Sequence, residues 1–306
     1  MAKLGDRARF LRIGLAFLSI SLGALADDTS PVPPSTPNQS VVETPAKPGE
    51  PTSKVFGTLD LRAEFWGLPG AWDTSNFFQI GYTFTPDVKV SWYQGFDSNL
   101  YKASLTQIPG ASGLNPVLDQ GFLRTRVNNI WKNGNLSLAY ESRIYVPTLS
   151  FDSQMGNITR FYNAIKLAYK ASEAFTFSAI GVVSPQIFNA AGTTYGGPNP
   201  WLENRLYLVT DVQITPKLSF SLPVLLYQDK YRDYAANPTN LLLGGNTGDW
   251  GYFLYIWPEL DYALNDTLTL GLAYVSGNMV KPDFSGTTME SAFKSGILQF
   301  VVTTNL

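Results

Sequence analysis

From Val55 onward the chain alternates apolar and polar residues, and five times the alternation restarts directly after a short turn signal. Thr85-Pro86-Asp87 precedes Val88-Lys89-Val90-Ser91-Trp92, and Asn133-Gly134 precedes Leu136-Ser137-Leu138-Ala139-Tyr140. Ala171-Ser172-Glu173 leads into Phe175-Thr176-Phe177-Ser178-Ala179, and Thr215-Pro216-Lys217 into Leu218-Ser219-Phe220-Ser221-Leu222. The fifth case is Asn265-Asp266 before Leu268-Thr269-Leu270-Gly271-Leu272. A period of two sends successive side chains to opposite faces of a sheet, and Asn-Gly between alternating runs is a strong hairpin signal. Each turn is also preceded by a strand-like run. The pattern predicts twelve strands over 55–66, 75–84, 87–96, 118–129, 135–145, 157–169, 174–184, 201–214, 217–228, 250–263, 266–276 and 290–302. Five connections are short turns, and six are long loops near 67–74, 97–117, 146–156, 185–200, 229–249 and 277–289.

The two faces differ in chemistry. Leu218, Phe220, Leu222, Val224 and Leu226 form an unbroken apolar set, as do Leu254, Ile256 and Leu260, and Leu268, Leu270, Leu272 and Tyr274. The other face carries Asp60, Arg62, Glu64, Arg124, Arg126, Glu141, Arg143, Arg160, Lys166, Glu203, Arg205 and Asp211. A soluble sandwich would scatter such charges over its outside, whereas a wet lumen gathers them. Aromatic residues stand near strand ends, with Phe84, Trp131, Tyr169 and Tyr262 by the short turns and Trp66, Tyr145, Trp201 and Trp250 by the long loops. Amphipathic rings favour the headgroup level, so the expectation is two belts.

Composition sharpens this picture. Aromatic residues reach 14% and charged residues only 15%, against about 25% charged in soluble domains. Beyond residue 26 no apolar run approaches the roughly 18–20 residues of a membrane-crossing helix. The chain has no Cys and no His. Disulfides, thiol catalysis and Ser-His chemistry are therefore excluded, and metal binding loses its best side chains. No enzyme, cofactor or metal site is expected.

The N-terminus reads as a secretory signal peptide over 1–26. Lys3, Arg7, Arg9 and Arg12 precede an apolar stretch from Ile13 to Leu22, and Ala24-Leu25-Ala26 is a small-x-small cleavage site. Its removal takes four basic residues and Asp6, leaving a chain more acidic than the formal net charge of −2. Nucleic acid is not an expected partner. Residues 27–54 hold Pro31, Pro33, Pro34, Pro37, Pro45, Pro48 and Pro51 in a Ser/Thr/Glu/Lys-rich stretch, read as a disordered periplasmic linker.

The even strand number, the alternation of short and long connections and the terminal strand Leu298-Gln299-Phe300-Val301-Val302-Thr303-Thr304-Asn305-Leu306 together resemble Gram-negative outer-membrane β-barrel proteins of the porin-like class. The usual final residue of that class is Phe, and here it is Leu306. The resemblance implies a closed, all-β, antiparallel up-and-down transmembrane barrel over 55–306. It also implies insertion by the barrel-assembly machinery and outer-membrane lipid as a partner. Closure has its own physical reason, because an open sheet edge in lipid would leave backbone groups unpaired.

With the apolar set facing lipid, the inward charges sort by sign. Lys89, Arg124, Arg126, Arg143, Arg160 and Lys166 lie on strands three to six with Glu141 among them. Asp60, Glu64, Glu203, Asp211, Glu259 and Asp261 lie on strands one, eight and ten, with Arg62 and Arg205. Opposed basic and acidic walls suit a channel for passive diffusion of small polar solutes or ions. Tyr162, Tyr207, Tyr227 and Tyr255 also point inward and can occlude the bore. The alternative is therefore a plugged structural or adhesive barrel that binds partners through its long loops. A homo-oligomer is compatible with this class.

Overall fold

The computed structural model describes residues 54–65, 72–99, 117–146, 157–189, 200–231, 250–279 and 296–306. The expected signal peptide and almost all of the linker lie outside the described residues, as do Trp66 and most of the long-loop residues. The strands are β1 (Val55–Phe65), β2 (Trp72–Thr85), β3 (Val88–Asn99), β4 (Val117–Asn133), β5 (Leu136–Val146), β6 (Asn157–Lys170), β7 (Phe175–Phe188), β8 (Pro200–Thr215) and β9 (Leu218–Tyr231). They continue as β10, formed by Trp250–Ile256 and Glu259–Ala263, then β11 (Leu268–Met279) and β12 (Ile297–Asn305). Each pairs antiparallel with its sequence neighbours, and β12 returns to β1 in a ladder from Phe65↔Leu298 to Thr58↔Asn305. The sheet is closed: a twelve-stranded barrel.

β10 is one strand with a break. Pro258 cannot donate to the ladder, yet the register across it is kept, with Ile256 opposite Val224 and Glu259 opposite Ser221. Trp257 N donates to Pro223 O at 3.2 Å and Tyr274 N to Pro258 O at 3.0 Å, so both neighbours hold the gap. In the β4–β5 turn the two loop residues are Gly134 and Asn135, between the paired Asn133 and Leu136. Gly134 alone has a positive φ of 56°, which places glycine at the first turn position. β4 runs four residues beyond its expected end because a bulge between Val127 and Trp131 absorbs extra residues. Asn129 adopts φ 50° there, and its Nδ2 donates to Asp87 Oδ1 at 2.8 Å. The last strand ends later than expected. Residues 290–295 are outside the described residues, and the ladder runs on to Asn305 because β1 offers partners that far.

Burial is inverted relative to a soluble protein. Phe84 (59%) and Ile165 (56%) stand exposed on the outside, while Arg143 and Arg160 are each 3% exposed on the inside. Phe84, Trp131, Tyr169 and Tyr262 are outward and exposed as the belts require, and Trp201 is exposed at the register irregularity between Pro200 and Leu202. Tyr145 is a correction. It shares the inward parity of Arg143 and is buried at 4%, because period two and not proximity to a strand end decides which way a ring points.

Candidate channel lumen

The inward face of β3–β6 is built by cross-strand register. Arg124 faces Arg143 and Arg126 faces Glu141 across the β4–β5 ladder, which brings three guanidinium groups together. Glu141 sits among them, 2.5 Å from Arg124 Nη2, 2.5 Å from Arg143 Nη2 and 3.2 Å from Arg126 Nη2. Three positive charges against one negative leave this wall basic. Lower on the same side, Lys89 Nζ lies 5.7 Å from the Phe56 ring centroid. Lys166 on β6 is within the field of Asp211, Arg126 and Glu141.

Above the arginines runs a row of rings. Tyr93 stacks on Phe122 at 4.8 Å, and Phe122 meets Tyr145 at 4.7 Å. The guanidinium of Arg124 lies 5.5 Å from the Tyr93 centroid, that of Arg143 4.3 Å from Tyr162, and that of Arg160 3.8 Å from Tyr145. Arginine stacks well on aromatic faces, so these rings hold the cations in place as well as filling space.

Across β6–β9 the two expected walls meet. Glu203 is 2.6 Å from Arg205 Nε and 3.7 Å from Arg160 Nη1. Tyr227 OH donates to Asp229 Oδ2 at 2.7 Å, and Arg205 Nη1 donates to Tyr207 OH at 3.0 Å. Arg160 and Glu203, placed on opposite walls by strand number alone, are thus paired with each other.

The acidic side follows from one ladder row. Glu64 stands opposite Gln299, Gln299 opposite Ala273, Ala273 opposite Glu259, Glu259 opposite Ser221, and Ser221 opposite Asp211. Three carboxylates therefore share one row from β1 round the closure to β8. Hydrogen bonds hold two of them. Gln299 Nε2 and Ser75 Oγ donate to Glu64 at 2.8 and 2.9 Å, and Ser221 Oγ donates to Asp211 at 2.8 Å. On the next row Asp261 faces Gly271, where a Cβ would come within 2.6 Å of Asp261 Oδ1, so glycine makes room for the carboxylate. Arg62 pairs with Asp60 at 3.1 Å and lies in the field of Glu259 and Glu64.

Accessibility varies along the barrel. Arg124, Arg143, Arg160, Glu203, Arg205 and Asp229, toward the long-loop ends of their strands, are all buried. Lys89, Arg126, Lys166, Asp211 and Asp261, nearer the short turns, are half-buried, and the Arg126 side chain reaches 32% exposure. Glu259 is buried although it lies low.

No protein-family model matches the chain, and no curated protein matches it in sequence. Solved structures do match in shape. The chain is similar to the NanC porin, with TM-score 0.50 and 12% identity over 80% of this chain and 97% of that one. It is similar also to an outer-membrane channel from Pseudomonas putida F1, with TM-score 0.51 and 11% identity over 85% of this chain and all of that one. The fold is that of an outer-membrane porin. At these identities the likeness is one of backbone, so the lumen of this porin-type barrel has to be read from its own residues.

Two features of the lumen are not legible in the sequence pattern. The pattern starts a loop at Asp229, but β9 continues through it and period two turns it inward beside Tyr227. The Tyr93-Phe122-Tyr145 row has no sequence signature, because its members come from three strands that only register aligns.

Proposed function

We propose that this porin-type barrel is an outer-membrane channel for passive diffusion of small polar solutes or ions, exported by a signal peptide over 1–26 and tethered by the 27–54 segment. The observation that carries this reading is the sorting of inward charge. Arg124, Arg126, Arg143, Lys89 and Lys166 outnumber Glu141 on one arc of the wall, and Asp60, Glu64, Asp211, Glu259 and Asp261 outnumber Arg62 and Arg205 on the arc closed by β12. Opposed charged arcs in a low-dielectric wall create a transverse field that orients water and dipolar solutes and sets ion selectivity. A purely structural interior would gain nothing from separating its signs.

The accessible charges near the short turns form a vestibule in this reading. The packed Arg-Tyr-Glu layer toward the long loops is the constriction. Catalysis has no support: the chain lacks His, and the inward carboxylates Asp60, Glu64, Glu141, Glu203, Asp211 and Asp229 are engaged with Arg, Ser, Gln and Tyr. The same tight layer favours a second reading, a plugged barrel that acts through its loops. Tyr162 (6%), Tyr207 (5%) and Tyr227 (9%) are nearly covered.

Planar-bilayer recording of the refolded 27–306 chain separates the two. Stepwise conductance is expected. A barrel that shows heat-modifiable gel migration but passes no current at any voltage would sink the channel reading in favour of the plugged one.

A further inference from the structure

The outward face of the barrel is not uniformly apolar. On β4–β6 one ladder row places Thr125 opposite Ser142 and Ser142 opposite Asn163. Their parity is outward: Thr125 follows Leu123 (42% exposed), Ser142 precedes Ile144 (42%), and Asn163 lies beside Ile165 (56%). The row above is Leu123, Ile144 and Phe161, and the row below is Val127, Tyr140 and Ile165. Apolar neighbours on both sides put the polar row inside the hydrocarbon zone and not at its edge. In the middle of their strands on the other side of the barrel, the outward residues Val224, Ile256, Leu272, Phe300 and Leu61 are all apolar.

Tyr140 OH bonds Asn163 Oδ1 at 2.8 Å, and both groups are exposed. Whichever way that amide is turned, half of it still lacks a partner among the described residues. Water does not reach this depth of a bilayer, and lipid tails offer neither donor nor acceptor. Next to this row, on β7, outward-facing Gly181 opens the surface, since a Cβ there would meet nothing within 4 Å.

We infer that the outward face of β4–β6 is the contact surface for a second copy of this chain in the membrane. The polar groups specify the occupant. Hydroxyls and a carboxamide each donate and accept and carry no charge, so an identical patch related by a two-fold axis satisfies them reciprocally. The space over Gly181 receives an apolar side chain of the partner. A lipid could cover the patch but would leave the amide unpaired.

The chain has no Cys, so single cysteines report cleanly. Full-length protein in its native membrane carries either Ile165→Cys, beside the polar row, or Leu272→Cys, 42% exposed on the opposite wall. A short bis-maleimide linker is expected to join Ile165→Cys into a species of twice the monomer mass, several-fold more efficiently than Leu272→Cys. Adding Asn163→Leu and Ser142→Val is expected to lower it to the Leu272→Cys level while heat-modifiable migration persists. Equal cross-linking at the two positions, cross-linking indifferent to the polar row, or adducts of another mass would each overturn the inference. If the combined variant fails to assemble, the mass of the unaltered protein in mild detergent decides. A dimer supports the contact, and a monomer at every protein concentration overturns it.

Discussion

At the scale of single residues, Glu141 is the hub of the basic wall because it is the counter-ion for Arg124, Arg126 and Arg143. Removing one partner of a buried ion cluster leaves the others uncompensated, at a cost of about 3–5 kcal/mol. Glu141→Gln is therefore expected to lower the unfolding free energy of the vesicle-inserted barrel, measured in urea, by that order, and an unchanged value would show that the arginines are solvated. Gly271→Ala forces a methyl against Asp261 Oδ1 and to 3.1 Å from Val301 Cβ. The same measurement should register a loss of about 1–3 kcal/mol, the usual cost of overpacking. Period two made the inward placement of these charges legible, but not their pairing. Arg160 and Glu203 could not be matched from spacing, since β7 separates their strands and only the curvature of the wall brings them together.

At the scale of strands, alternation predicted the elements, and local backbone chemistry moved their ends. The β4 bulge was hidden because Asn128-Asn129-Ile130 breaks no obvious rule. Its cause is a contact with Asp87 across the neighbouring turn, where Asn128 N meets Asp87 O at 2.7 Å. Valine at position 129 would be forced into left-handed backbone, costing roughly 1–2 kcal/mol. Asn129→Val should therefore destabilise the barrel in urea by about that amount, whereas Asn129→Gly should not. The faces give a sharper test. Leu272 is outward on β11 and 42% exposed, so Leu272→Arg places a charge against lipid, worth about 2–4 kcal/mol near the midplane. Equal stability of this variant and the unaltered barrel would mean that β11 is not lipid-facing.

At the scale of the whole molecule, selectivity belongs to the balance of the two arcs. Arg126 is the most accessible of the β4–β5 arginines, so Arg126→Glu removes positive field from the vestibule with the least disturbance of packing. The reversal potential in a salt gradient should move toward cation preference. A fixed reversal potential would remove Arg126 from the conduction path. Twelve strands, the alternation of short and long connections, and the assignment of apolar residues to lipid and charges to the inside were all written in the chain. Each depends only on a local period and on what a bilayer can solvate. Closure decided the rest. It set β12 beside β1 and aligned Glu64, Glu259 and Asp211 in one row. It stacked Tyr93 on Phe122, and it grouped Thr125, Ser142 and Asn163 on one patch of the outer wall. Contacts between strands follow from register, and register is fixed only when every edge has found its partner.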